Sequence, residues 1–250
     1  MRILVCNDDG IQATGLQTLA AAARILAPEV WVVAPERKWT AASHQLSFDL
    51  VLTLTRTGER EYACSGSPAD CVIAAMTLLF TGESKPDLVL AGLNDKINVA
   101  EDIAYSGTMA IAREATFWGV PAIGLSRDDL AMPQPLGTRA IGALLAFLWE
   151  ARAQWHQADS WLSLNLPERL PAPLVQAHVG RDKIGSVCET LESGPDRIAF
   201  RLVRGRPGMM ADGDERAVVT AGGIALVRHG WFAGTPIEQA TIEGWNRTLR

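Results

Sequence analysis

Cysteine is scarce in this chain. Cys6, Cys64, Cys71 and Cys188 have neither paired spacing nor accompanying histidines, which argues against a zinc site or a disulfide framework and leaves them as buried thiols. Positive charge is also in deficit. A formal net charge of −5 provides no basic field for a nucleic-acid backbone, so polymeric DNA or RNA is excluded as the main partner, while a small phosphorylated ligand is not. No apolar run reaches membrane-spanning length, and the amino terminus enters a strand without a basic leader or cleavage site, from which no membrane contact and a cytoplasmic location are expected. Internal repeats and low-complexity tracts are missing as well. What is present is ordinary: 250 residues, 48% hydrophobic and 20% charged, enough to bury the core of one large domain or two small ones.

The stretch Arg2 to Gly10 organises the rest. Ile3 to Cys6 are four consecutive apolar residues, the pattern of a strand buried on both faces, and the run stops at Asn7, Asp8, Asp9 and Gly10. Thr14 can cap a helix with an apolar stripe at Leu16, Leu19, Ala20, Ala23 and Leu26, and Glu29 to Ala34 is the next strand. This strand, helix, strand order predicts a right-handed crossover and a parallel sheet. Leu46 to Leu54 alternates apolar and polar residues, and with a turn at Thr57-Gly58 it predicts a hairpin inserted beside the sheet. Ser67-Pro68-Ala69-Asp70 opens a helix to about Phe80, Leu88 to Ala91 is a strand, and Ser106 begins a helix that stops at Gly119. Strands at Pro121 to Leu125 and Trp161 to Leu166 and a helix from Ala140 to Trp155 complete a doubly wound, mostly parallel α/β core over residues 1–168. Residues 169–250 read as a β-rich extension, with strand-like pieces around Leu174 to Val179, Ile198 to Val203 and Ala217 to Val227. A capping box at Thr235-Pro236-Ile237-Glu238 then opens a terminal helix whose apolar residues need a surface to cover.

In open parallel sheets ligands bind in the crevice beyond the carboxyl ends of the strands. Three loops leave such ends: Asp8-Asp9, then Arg37 to Ser43, then Asn94 to Asn98. Together they offer two carboxylates, a hydroxyl from Thr40 or Ser43, and the amide oxygen of Asn94. Adjacent carboxylates repel unless a cation or a proton intervenes, and an all-oxygen donor set suits Mg²⁺ or Mn²⁺. The helix start Ser106-Gly107-Thr108 adds an anion site through its free N–H groups and positive dipole end, with Gly107 allowing close approach. Metal beside phosphate implies phosphoryl chemistry.

Asn7-Asp8-Asp9-Gly10, Val33-Ala34-Pro35, Gly66 to Cys71, Gly92-Leu93-Asn94, Asn98 and Tyr105 to Thr108 stand in an order and spacing that resembles the SurE family, the stationary-phase survival proteins, over roughly the first half of the chain. The resemblance implies a metal-dependent 5'-nucleotidase hydrolysing nucleoside monophosphates, with a Rossmann-like domain and an extension used in oligomer contacts, as a homodimer or homotetramer. It implies one divalent ion, Mg²⁺ or Mn²⁺, held by Asp8, Asp9, Thr40 and Asn94. Asp8, Asn94 and Ser106 would then act in catalysis, with Lys96, Asn98, Ser106, Gly107 and Thr108 around the phosphate. Asp8 can serve as base or as nucleophile, and the sequence does not choose. Past Leu170 the resemblance is faint, with Gly213-Asp214 its best remnant.

The chain departs from the family pattern at Gln12, Thr14, Thr40, Ala41, Lys96 and Ala100. Thr40 keeps a hydroxyl; Lys96 replaces a glycine and brings a cation toward the phosphate. Asn94 can close an Asx turn, Ser106 can be a helix cap, Asp70 is best read as stabilising its own helix, and Trp39 can stack a base or fill a subunit contact. His44 is the one histidine near the crevice, where it could protonate a leaving alkoxide, although a solvated loop histidine is the simpler reading. Two other functions fit less well: a phospho-acceptor module, and a nucleotide-binding relative with little turnover.

Overall fold

The computed structural model describes residues 1–82, 84–128, 136–231 and 236–248. In chain order the elements are β1 (Arg2–Cys6), α1 (Thr14–Leu26), β2 (Glu29–Pro35), β3 (Leu54–Gly58), β4 (Glu61–Cys64), α2 (Pro68–Ala74) with a π-helical turn at Ala75–Leu79, β5 (Leu88–Asn94), α3 (Asp102–Tyr105) and α4 (Gly107–Phe117). They continue as β6 (Ala122–Arg127), α5 (Leu136–Glu150), α6 (Arg152–Trp155), β7 (Ser160–Leu166), β8 (Leu174–Gln176), β9 (Val187–Ser193), β10 (Ile198–Val203), α7 (Glu215–Thr220), β11 (Ile224–Gly230) and α8 (Gln239–Thr248).

β1 lies inside a nine-stranded sheet of order β3-β4-β2-β1-β5-β6-β7-β11-β8. Its side chains alternate between two cores. Ile3 and Val5 pack with Leu16, Leu19, Ile141 and Leu145 of α1 and α5, whereas Leu4 and Cys6 pack with Val72 and Ile111 of α2 and α4. Each of these fully buried aliphatic side chains contributes roughly 2 kcal/mol. Burial on both faces is why β1 reads as an unbroken apolar run. Pairings from β4 through β7 are parallel, and the chain leaves β1 in one direction toward β2 and returns on its other side as β5. The order therefore reverses at β1, so Asp8 and Asp9 stand at the topological switch point, where two neighbouring loops diverge and leave a crevice.

Several expectations change. The hairpin belongs to the main sheet: β4 pairs with β2 in parallel and β3 closes that edge antiparallel. Of the alternating stretch, Leu54 alone joins a strand, because the chain turns at Asp49 (φ 60) and Ser47 donates its N–H to Asp70 Oδ1 at 3.1 Å. β5 runs on to Asn94, its carboxyl end shifted in register against β6. Gly92 makes that possible: at φ 127 a Cβ there would run into the Leu125 carbonyl of β6. Thr14 is the first helical residue, and the N-cap is Ala13, without a side-chain hydrogen bond. Residues 217–220, expected as strand, are helical because Asp214 caps them, accepting from Ala217 N at 2.7 Å. Cys188 is exposed, unlike the other three cysteines.

The sheet does not end at residue 168. β11 pairs antiparallel with β7, and β8 pairs with β11. What stands apart from it is the two-stranded β9–β10 ribbon. The terminal helix is α8; Thr235, expected as its cap, lies outside the described residues.

Candidate active site

The end of β1 is fastened on three sides. Asn7 closes a local turn, accepting from Gly10 N and donating to Gly10 O, each at 3.1 Å. The loop after β2 docks on it, with Trp39 N donating to Asp8 O at 2.7 Å and Ile11 N to Pro35 O at 2.8 Å. The Asp8 carboxylate then meets α4: Thr108 Oγ1 donates to Asp8 Oδ1 at 2.6 Å. A Cβ on Gly107 would lie 2.6 Å from Asp8 Cβ and 2.9 Å from Oδ2, so the residue must be glycine for the helix start to reach the carboxylate. The space that glycine leaves is filled by Asp8.

Burial pushes the Asp8 carboxyl up to about 6, and the Asp9 charge adds to this, while the Thr108 hydrogen bond and the Lys38 ammonium favour the ionised form. Asp9 is itself engaged. Lys38 Nζ lies 2.5 Å from Asp9 Oδ1 and 2.6 Å from Asp95 Oδ2, and Asp95 N approaches Asp9 Oδ2 at 3.4 Å. Asn94 spends its Nδ2 on the Lys96 carbonyl at 2.6 Å, which leaves Oδ1 as an acceptor.

Ser106 caps α4, accepting from Met109 N at 3.1 Å. The first-turn N–H groups of Gly107 and Thr108 are left as candidate anion donors beside Asp8. Two carboxylates and a positive helix end thus share one crevice.

A family profile described as Survival protein SurE matches residues 3–186. The chain belongs to the SurE family. It is 50% identical over 127 residues to a 5'-nucleotidase SurE of Methylorubrum extorquens, covering 51% of this chain and 50% of that one. Thus the matched stretch spans about half the length of that relative. The 5'-nucleotidase SurE of Paramagnetospirillum magneticum is 39% identical, covering 74% of this chain and 72% of the relative. That of Azorhizobium caulinodans is 36% identical, covering 81% and 76%. The crystal structure of SurE from Aquifex aeolicus shares the fold, with a TM-score of 0.77 at 24% identity over 100% of this chain and 99% of that one.

In this SurE-family chain the crevice offers hard oxygen donors: the Asp8 and Asp9 carboxylates and the Asn94 amide oxygen. That set fits Mg²⁺ or Mn²⁺. Two further observations agree with a cation there. Asp8 is a buried carboxylate without an ion-pair partner among the described residues, and Asp9 already draws an ammonium. No cluster of three or more His, Cys, Asp or Glu side chains placed to hold a metal occurs among the described residues.

The remaining sequence candidates fall outside this inner group. Asn98 is buried and tied elsewhere: its N–H donates to Asn165 Oδ1, its Nδ2 to Ser126 Oγ at 2.7 Å, and its carbonyl accepts from Asn165 Nδ2. Lys96 is exposed and stands 4.0 Å from Asp128. Thr40 is exposed, without a hydrogen bond to Asp8 or Asp9 among the described residues, and Ser43 gives its hydroxyl to the Ala104 carbonyl. His44 is part-buried and engaged by α4 rather than a solvated loop histidine. It sits 2.7 Å from Glu114, accepts from Arg113 Nε at 2.9 Å and stacks on Phe117, because α4 turns these three residues toward it. Asp70 completes a capping box with Ser67. Sequence reasoning missed Lys38 and Asp95. Their signal was a cation and an acid in the two loops that leave β2 and β5, the strands flanking β1.

Proposed function

We propose that this chain hydrolyses nucleoside 5'-monophosphates to nucleoside and inorganic phosphate, using one divalent ion, Mg²⁺ or Mn²⁺, held by Asp8, Asp9 and Asn94, with Thr40 reaching in from the loop after β2. The observation that carries this reading is the contact of the Asp8 carboxylate with the first turn of α4, which sets an oxygen-donor site against an anion site. Relatives named 5'-nucleotidase SurE support the substrate class.

When bound, the ion supplies Lewis-acid polarisation of a phosphoryl oxygen. The chain's own groups do the rest. The N–H groups of Gly107 and Thr108, held in place by the Ser106 cap, receive the other phosphoryl oxygens and stabilise charge building on them. Asp8 Oδ1 is fixed by Thr108, which leaves Oδ2 either to take the proton of an attacking water or to attack phosphorus itself, the P–O bond to the nucleoside breaking in either case. Asn98 holds its loop firmly through Ser126 and Asn165, which positions the crevice wall. Lys96 serves at the exposed rim, meeting the substrate's charge from there.

The proposal includes a homodimer or homotetramer built through the extension. The β9–β10 ribbon exposes Val187, Leu191, Ile198, Phe200 and Leu202, and α8 exposes Trp245. Apolar groups of this size call for a covering surface. It also includes a cytoplasmic location, where nucleoside monophosphates are made and used. Among the described residues no helix is long and apolar enough to cross a membrane.

Phosphate release by purified protein, across nucleoside monophosphates with Mn²⁺, Mg²⁺ or a chelator, tests the activity. Release should stop on chelation, return with metal, and fall at least about 100-fold in Asp9→Asn. Release that survives chelation, or no release from any monophosphate, defeats the reading. Light scattering on the same sample should exceed the 27.0 kDa of one chain; a monomer at micromolar concentration defeats the oligomer.

A further inference from the structure

Lys38 follows shortly after β2, on the loop that docks against the end of β1. Its ammonium bridges two acids from different loops, at 2.5 Å from Asp9 and 2.6 Å from Asp95. Among the described residues it is the ion-pair partner that Asp9 has. Its side chain is 46% exposed, so a flexible stem can carry the charge away at small cost, whereas Arg206, 19% exposed between Asp102 and Asp182, is enclosed.

Geometry makes this ammonium a rival to a divalent ion. An ion bound to an Asp9 oxygen would sit about 2.1 Å from it, within direct reach of an ammonium that itself lies 2.5 Å from Oδ1. Two positive charges that close, on one carboxylate, repel. Asp95 offers the lysine somewhere to remain: Nζ can keep that partner while giving up Asp9.

We propose that Lys38 is a tethered cation that fills the metal's place beside Asp9, so that divalent binding requires its ammonium to withdraw and the lysine sets the affinity of the site. This rests on the reading of Asp9 as a metal ligand. The consequence is a site in which Asp9 stays paired without metal, and which takes up a divalent ion only when the ion is plentiful enough to displace the lysine.

The test is Mn²⁺ binding alone, measured by calorimetry or by the electron paramagnetic resonance of free Mn²⁺, without substrate, at fixed pH and ionic strength. Lys38→Met should bind Mn²⁺ roughly tenfold more tightly than the unmodified protein, and Lys38→Gln, which keeps the position polar, should do the same. Lys38→Arg, which retains the charge and the reach, should stay within about threefold of the starting affinity. Lys96→Met removes one positive charge from a neighbouring loop and should change the affinity by about twofold or less, because an exposed charge is screened. Equal or weaker binding by Lys38→Met and Lys38→Gln overturns the proposal, and so does an equal gain in Lys96→Met, which would make the effect one of net charge. If the unmodified protein binds Mn²⁺ and the Lys38 variants match it, the Lys38 role alone fails. If no form binds Mn²⁺, the metal reading fails with it.

Discussion

The segment joining β5 to α4 carries acid to two places, and the two clusters are neutralised differently. At its start Asp95 joins Asp8 and Asp9, where Lys38 is the compensating cation. At its end Glu101 and Asp102 meet the extension, where positive charge is ample: Arg206 pairs with Asp102 at 2.5 Å, Arg216 with Asp182 at 3.2 Å and Arg181 with Glu101 at 3.3 Å. Backbone amides finish the second cluster. Gly208 and Met209 donate to Asp182, Asp182 N donates to Glu101, and Gly180 N donates to Glu215, whose carboxyl burial pushes up. A cluster supplied with guanidinium groups and amides is a fastening, here of the extension onto the core. A cluster left short of charge at a switch point is a place where an added cation lowers the energy.

Gly107→Val attacks the first cluster hardest. The new side chain must displace Asp8, so both Mn²⁺ affinity and phosphate release should fall at least about 1000-fold, with circular dichroism still reporting the fold. Retention of metal binding by this variant would show that Asp8 and the helix start act separately.

Asp182→Asn probes the second cluster. It leaves Arg206 and Arg216 facing a neutral amide in a position that is 3% exposed, and should cost about 3 kcal/mol in chemical denaturation. Mn²⁺ affinity should change little. A variant as stable as the parent would remove the distinction drawn between the clusters.

A smaller effect concerns pH. The Asp8 carboxyl stands at about 6 when folded and near 3.8 when unfolded, so between those values the folded chain holds a proton that the unfolded chain has released. Stability of the chelated protein therefore falls as pH rises through that window, by at most about 3 kcal/mol from this group. Asp8→Asn should flatten the fall, read as the difference between the two melting curves from pH 4 to 7. Parallel curves would mean that Asp8 is ionised without metal.

How much of this could be read beforehand depended on distance along the chain. β1 and its acids were legible because an apolar run that stops at Asn7 is a local signal, and Ser67 to Asp70 announced its capping box in four adjacent residues. Gly107 was singled out for the right helix, yet what it clears is Asp8, a contact no local pattern encodes. The Lys38 bridge is hidden for the same reason: its three charges lie on three loops that only the sheet order brings together. Elsewhere local signals conflicted. Ala217 to Thr220 reads as strand by its valines and folds as helix because Asp214 caps it and Glu215 is buried against the Gly180 amide. Leu46 to Leu54 alternates like a strand, but among the described residues its pairing with β4 starts only at Leu54, next to the Thr53–Ser65 contact.

The pairing of β11 with β7 also bears on how the chain is made. A ribosome releases the strands in chain order, so β1 keeps one edge open until β5 begins at Leu88, and β7 keeps one open until β11 begins at Ile224. Through that second interval the backbone N–H and C=O groups of β7 form an open edge able to pair with another chain. The β9–β10 ribbon is synthesised within that interval, so the open edge of β7 and the exposed apolar ribbon are present in the nascent chain together.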